Sequence, residues 1–414
     1  MLVYNIGPLV TNTQRAIAFL GAVVPQDMCI QSPACSAGTN KDMLRLIRAL
    51  GEASGSTLTV FSVQPVGVYP TSRKILVRPG RVDLGHGISC QLVPFVNVLF
   101  LKQLTILFGA LFYLLAWLWR RRDRQCDVLV HNVYPSMSLP VLLTTKLLGS
   151  KSVALVTDLP HDLCFDFRGW RGMLQRLNLF VETHALAHFS GIITYTRFIG
   201  EDFSPYRPML VMEGGVDPGD ANLAPEAGAA DASQSERILL FSGTLSTING
   251  IELLLASFRH LPEAGYRLWI FGRGPLEPLV RETAMEDERV VFFGFVPTQE
   301  EVLRRQRKAT VLINLRLHDH LINRYTFPGK LREYMLSARP VISTAAPGIP
   351  KEYHDYVYIL ENETPDGLAR LLREVCSKPP AELDEFGRRA CEFVLRNKNW
   401  TVQTQRIYEF IGSL

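Results

Sequence analysis

Two stretches of this chain repeat one pattern, a short run of β-branched and aliphatic residues, a turn, then an amphipathic segment. In the first stretch DMCIQSPA (27–34) reads as a buried strand. KDMLRLIRALGEA (41–53) follows as a helix with its apolar residues at 43, 44, 46, 47 and 50. TLTVFSVQ (57–64), DVLVHNV (127–133), SVALVTDL (152–159) and GIITYT (191–196) are further strands, with helical segments such as 173–189 between them. After a small, polar stretch, APEAGAADASQSE (224–236), the pattern restarts. Its strands are ILLFSG (238–243), YRLWIFG (266–272), RVVFFGF (289–295), ATVLINL (309–315) and RPVIST (339–344). IELLLASFRHL (251–261) is a helix, and one long helix is expected at about 385–412. Parallel strands need a crossover of about a dozen residues or more, which these helices supply. The expected class is α/β, two doubly wound Rossmann-like domains facing a central cleft, with ligands at the carboxyl ends of strands. The switch falls within 206–236. We assign 1–215 and 216–395 to the two domains, and 396–414 to a terminal helix open to crossing back to the first.

Composition narrows the function classes. The 414 residues, 47% hydrophobic and 20% charged with mean hydropathy +0.09, exclude a wholly disordered, collagen-like or polytopic membrane chain. A net charge of +4 does not by itself imply nucleic acid. The split is more informative. Residues 1–205 hold 19 Lys/Arg and 12 Asp/Glu, a net +7, and the remainder carries −3. Seven cysteines without a CxxC pair argue against a disulfide framework or a zinc site, and point to a reducing compartment. The N-terminus lacks a basic start followed by a long apolar core, so no signal peptide is expected.

The basic half contains the one strongly apolar run, LTILFGALFYLLAWLW (104–119), inside a helix expected at about 95–122. Arg120, Arg121, Arg122 and Arg124 follow. Sixteen residues of helix reach about 24 Å, short of the roughly 30 Å of a hydrocarbon core. Three readings stay open: a buried helix of the first domain, a helix lying in the membrane surface with Trp117, Trp119 and the arginines at headgroup depth, or a true span.

The second half carries the chemistry. Gly243 and Thr244 follow a strand, and Gly250 opens a helix; glycine lets backbone N–H groups approach a phosphate. A second turn, Gly272-Arg273-Gly274-Pro275, ends the next strand, and Arg273 is a candidate for a diphosphate. In each case the plain alternative is a glycine kept for packing and a solvated loop charge. Lys330 and Glu333 stand three apart on one helix face. They read either as a surface ion pair or as a grip on a nucleotide, the ammonium on a diphosphate and the carboxylate on the ribose hydroxyls. Arg316 is a further candidate cation.

On these residues the chain resembles glycosyltransferase family 4, of GT-B fold. The matching pieces are FSGTLSTINGIELLLASF, LWIFGRGPLE, FFGF, LINLR, YTFPGKLREYM and RPVIST…GIPKEY, within about 236–360. Together they resemble a bacterial branch that builds capsular and exopolysaccharides. SAGTNKDMLRLI, PFVNVLFLKQL, ALVTDLP, GIITYT and VMEGGVD agree more loosely, so the resemblance covers about 26–380, and 1–25 has no counterpart. It implies transfer of a sugar, with retention, from a nucleoside-diphosphate sugar on the second domain to an acceptor on the first. Glu333 matches the second of the family's two glutamates. The first would fall at Tyr325, and the usual arginine and lysine near Thr244 and Asn249, so three of the family's groups are missing. Gly243, Thr244, Arg273, Gly274, Arg316, Lys330 and Glu333 are therefore the expected donor-binding set. Asp158 and His161 are candidates to orient the acceptor hydroxyl, and Glu213 sits at the domain junction. His318-Asp319-His320 reads as part of a donor loop rather than a metal site. No metal and no other cofactor is expected. The expected partners are the nucleotide sugar, a lipid-linked or oligosaccharide acceptor and the anionic inner face of a cytoplasmic membrane, with no nucleic acid. Two other readings remain, a sugar-nucleotide epimerase of the same fold and a non-catalytic membrane-docking partner of another transferase.

Overall fold

A computed structural model describes residues 15–53, 57–157, 169–222, 236–261, 265–296 and 298–414. The chain forms two compact units, one of residues 1–214 and 400–414, the other of 215–399. In the first, chain order is β1 (Arg15–Gly21), α1 (Gln26–Ile30), α2 (Ala37–Ala53), β2 (Leu58–Ser62), β3 (Leu76–Val77), β4 (Gly80–Asp83), β5 (Ser89–Leu92) and β6 (Phe95–Val96). Then come α3 (Leu101–Trp119), β7 (Gln125–His131), α4 (Pro135–Leu148), β8 (Lys151–Val156), α5 (Trp170–Leu186), β9 (Gly191–Thr194), α6 (Arg197–Phe203) and β10 (Met209–Val211). Its main sheet runs β10-β9-β8-β7-β1-β2-β5-β4, parallel except for the edge strand β4; β3 and β6 form a small antiparallel pair.

The second unit holds α7 (Pro218–Asn222), β11 (Arg237–Ser242), α8 (Ile251–Arg259), β12 (Tyr266–Phe271), α9 (Glu277–Glu286), β13 (Val290–Gly294), α10 (Gln299–Gln306) and β14 (Val311–Asn314). It continues with α11 (Ile322–Tyr325), α12 (Gly329–Leu336), β15 (Val341–Thr344), β16 (Tyr358–Leu360), α13 (Pro365–Cys376) and α14 (Pro380–Asn397). The last helix, α15 (Trp400–Ser413), belongs to the first unit. The second sheet, β13-β12-β11-β14-β15-β16, is parallel throughout. This is the doubly wound order, reversing direction between β11 and β14. Leu239, Phe241, Leu268, Ile270, Val311 and Ile313 from the central strands pack with Leu254 and Phe258 of α8 in a closed apolar core.

Three expectations need correction. The segment 27–34 is not a strand: α1 covers its start, Ile30 is 71% exposed, and Pro25 and Pro33 flank the turn. The strand that opens the sheet lies earlier, in the stretch without a counterpart. All seven residues of β1 are buried, because it pairs with β2 on one side and β7 on the other. Its Arg15 lies 3.1 Å from Asp127 at the start of β7, both side chains nearly inaccessible. Burial raises the Asp127 carboxyl and Arg15 opposes this. Removing either partner leaves a lone buried charge, at a cost of about 3–5 kcal/mol.

Second, Cys29 and Cys35 form a disulfide that closes the turn between α1 and α2. The chain reverses there within six residues, which brings the Cα atoms to 5.3 Å. That bond removes the ground on which a reducing compartment was read. Third, the expected helix over 385–412 is two helices. At Lys398 the backbone leaves the helix so that its carbonyl accepts from Val216 N–H, and Asn399 bridges to Val216. The Lys398 ammonium, 2.6 Å from Glu352, is itself buried.

The apolar run forms α3, 19 residues long enough and apolar enough to cross a membrane by length and composition. One face is committed to its own unit. Ile106, Ala110, Leu114, Trp117 and Leu118 are buried. The Trp117 indole N–H donates to Thr59 Oγ1 at 2.9 Å, and the Lys102 ammonium to the Val66 carbonyl at 2.6 Å.

Candidate functional site

The reversal of strand order in a doubly wound sheet leaves a crevice at the carboxyl ends, where ligands bind. In the second unit that point lies between the loop after β11 and the loop after β14. The first begins Ser242-Gly243-Thr244-Leu245. The Gly243 N–H donates to Phe271 O and the Leu245 N–H to Arg273 O, tying this loop to the one after β12. The approach is closer than any side chain allows. A Cβ on Gly272 would lie 1.8 Å from the Gly243 carbonyl oxygen, and one on Gly274 2.4 Å from that of Leu245. Both loops are thus held backbone to backbone, and Gly272 and Gly274 are required for packing.

Exposed Thr244 sits between those two bonds. Its carbonyl accepts from Asn249 Nδ2 at 2.8 Å, and no partner for its N–H occurs among the described residues. Of the paired candidates, then, Thr244 rather than Gly243 offers a backbone donor. Gly243, at φ +146°, leaves room instead. A Cβ there would stand 2.6 Å from Nζ of Lys330.

Lys330 lies in the first turn of α12, which follows β14 and α11. Its ammonium is 3.5 Å from Asn249 Oδ1 and 4.3 Å from the centre of the Phe241 ring. Burial, then the charge of Arg316, holds the ammonium well below the ordinary lysine range, while Glu333 acts in the opposite sense. One turn on, the Tyr334 hydroxyl accepts from Ser242 N–H at 2.7 Å and donates to Ser242 O at 2.9 Å, which locks α12 to the end of β11. Burial pushes that phenol up to about 12, so it stays a donor at physiological pH.

The structure brings Gly243, Thr244, Arg316, Lys330 and Glu333 into one neighbourhood. Glu333 is partly exposed on α12. Arg316 donates to Asn323 Oδ1 at 3.1 Å, and its backbone N–H donates to Thr344. Arg273 is exposed and stacks over the Phe295 ring at 4.4 Å. Tyr325, where the family would carry its first glutamate, is a buried aromatic. His318 pairs with Glu363 at 2.5 Å, with its backbone N–H on the same carboxylate. Among the described residues no group of three or more His, Cys, Asp or Glu is placed to hold a metal ion.

Two site residues carried no signal strong enough to single them out. Asn249 precedes a glycine and looks like an ordinary turn residue. Tyr334 falls on the apolar stripe of α12, where an aromatic reads as core.

In the first unit the strand order reverses between β1 and β7. Gly21 ends β1 and His131 ends β7; a Cβ on Gly21 would lie 3.0 Å from that of His131. His131 Nε2 is 3.1 Å from Thr157 Oγ1, and Asn132, at φ +58°, accepts from Thr157 N–H at 3.1 Å. Burial depresses the His131 imidazole to about 4. Asp158 and His161 directly follow this cluster in sequence and lie outside the described residues. Glu213 is buried.

Residues 236–378 match the family model described as glycosyl transferases group 1. No curated protein matches the sequence. Among solved structures, HepE from Anabaena in complex with UDP superposes with a TM-score of 0.66 at 14% identity, over 96% of this chain and 100% of that one. Sucrose-phosphate synthase from Thermosynechococcus elongatus gives 0.66 at 15% identity, over 96% and 100%. The lipopolysaccharide outer core galactosyltransferase WaaB gives 0.64 at 15%, over 96% and 99%. The chain has the GT-B fold of two Rossmann-like domains, and residues 236–378 of its second unit are similar to the glycosyl transferases group 1 domain.

Proposed function

We propose that the protein transfers a sugar from a nucleoside-diphosphate donor to a saccharide acceptor carried on a lipid, with retention, at the cytoplasmic face of a membrane in surface-polysaccharide assembly. The observation that carries the donor half is the Lys330 ammonium seated over Gly243 at the switch point of the second sheet. A lysine held there without a bonded carboxylate is a poor device for stability, since burial disfavours its charge. It suits an anion that arrives later. As the glycosidic bond ionises, negative charge grows on the leaving diphosphate, and pre-placed donors stabilise it without reorganising. Lys330, the Thr244 N–H, Arg316 and Arg273 would supply those donors, and Glu333 would accept from the ribose hydroxyls. In this reading the cations take the place of a divalent metal. HepE was solved with UDP, so uridine nucleotides are the first donors to test. The lipid-linked acceptor rests on the basic, apolar character of the first half.

The test is a thermal-shift screen of nucleotide sugars on the wild type and on Glu333→Ala. A donor that stabilises the first and not the second supports the reading. Lack of response to every nucleotide sugar overturns it, and conversion of the donor into an epimeric nucleotide sugar without an acceptor would replace it by epimerisation.

A further inference from the structure

Beside its buried side, α3 presents a second stripe. Phe108 and Phe112, one turn apart, are 58% and 69% exposed. The helix packed against it, α4, exposes Leu143 and Leu147 at the same spacing, and α5, packed against α4, exposes Leu177 and Phe180. Three neighbouring helices therefore each turn an apolar stripe to solvent, far more than scattered surface residues would do. Neither α3 nor α4 contains a single Asp or Glu, and the only carboxylate of α5, Glu182, is buried.

The carboxyl ends of α3 and α4 share a recess of about 260 Å³ lined by Arg121, Arg122, Arg124 and Lys151, with Gly149 and Ser150. Its single acidic liner, Asp127, is already paired with Arg15. Arg121 stacks on Trp117 and Arg122 on Trp119, at 5.1 and 4.8 Å from the ring centres. None of Arg121, Arg122 and Arg124 has an ion-pair partner among the described residues. Apolar stripes thus run into a rim where indoles and unpaired guanidinium groups meet, the order of layers at a bilayer surface from acyl boundary to phosphate.

We propose that α3, α4 and α5 form a docking face for an anionic phospholipid bilayer, and that the recess between the ends of α3 and α4 receives a lipid headgroup phosphate. The proposal rests on the membrane part of the reading above and is independent of the reaction. Charge complementarity selects this occupant: the three helices carry no accessible carboxylate, and their edge sets Arg121, Arg122, Arg124 and Lys151 against the exposed Asp123, with Asp202 beside Phe180, a cationic excess that fits an anionic lipid surface better than a second copy of itself, whose cations would meet its own.

Vesicle flotation of the full chain decides it, with vesicles of phosphatidylcholine alone or mixed with phosphatidylglycerol. The wild type should float with the mixed vesicles and not with the neutral ones. Phe112→Asp should lower the bound fraction about tenfold or more. Arg122→Ser with Arg124→Ser should lower it about fivefold for each arginine and remove the preference for phosphatidylglycerol. All of these positions are exposed, and melting curves with and without a uridine nucleotide should match the wild type. Flotation unchanged in both variants, or absent in the wild type, overturns the proposal. So does a dimer in light scattering that Phe112→Asp dissociates, which would assign the face to a second copy. Stabilisation by inorganic phosphate without vesicle binding would give the recess to a soluble anion and overturn it as well. Loss of the nucleotide response alone, with flotation intact, would sink the reaction and leave the docking face standing.

Discussion

Gly243 and Lys330 occupy one space: the ammonium stands 2.6 Å from where a Cβ on the glycine would be. Residues 87 apart in sequence are thereby complementary, one by its cation and the other by its missing side chain. Gly243→Ala should strain the loop as well as displace the lysine, since φ there is +146°. Such a residue costs about 1–3 kcal/mol. Differential scanning calorimetry should show a fall of several degrees, and titration calorimetry a loss of affinity for a uridine nucleotide of about tenfold or more.

Lys330→Met removes one charge-assisted contact, worth about 1.5–3 kcal/mol, so nucleotide affinity should drop while the fold is kept or stabilised. In the wild type the ammonium is held well below the ordinary lysine range, chiefly by burial. A bound diphosphate favours the charged form and raises that value, so binding takes up a proton at pH values between the free and the bound pKa. Affinity should decline as pH rises through the depressed value. Titrations in buffers of different ionisation enthalpy would detect the proton in the wild type and not in Lys330→Met. Equal proton uptake in both would refute the assignment.

His131 should make the first unit acid-sensitive. Its folded pKa is depressed to about 4 by burial, against about 6.5 when unfolded. The folded state needs the neutral ring, so its stability is complete above about pH 6.5. It is lost as pH falls toward 4, by up to about 3 kcal/mol. His131→Gln should flatten the melting temperature across that window. An unchanged slope would show that other groups govern it.

If placed cations do the work of a metal, saturating EDTA should leave the transfer rate unchanged within error, and added magnesium should not raise it. A rate that collapses on chelation and returns with a divalent ion would remove Lys330, Arg273 and Arg316 from that role.

Much of the candidate site in the second unit was legible because its signals are local. Strand, glycine turn and helix follow one another in β11 and β12, and Lys330 and Glu333 share one helix turn. The strand β1 escapes a reading of the sequence because the nearby 27–34 offers a competing apolar run. Asn249 and Tyr334 were overlooked for a different cause: each looks generic until the loop it holds is seen. The arginines after α3 were plain in the sequence, but not that they line a recess with Lys151.

The sequence by itself determined the parallel α/β class, the restart of the pattern after 224–236 and the cationic character of the segment around Lys330, since periodicity and turn chemistry are written within a few residues. Only the tertiary structure decided which glycine makes room and which leaves a donor, that Lys330 lies over Gly243, and that α3 keeps one face in its own unit while three helices expose their apolar stripes together. These depend on backbone loops meeting across the sheet order β12-β11-β14 and on helices packed side by side. Such contacts join residues far apart in the chain, where no local pattern reaches.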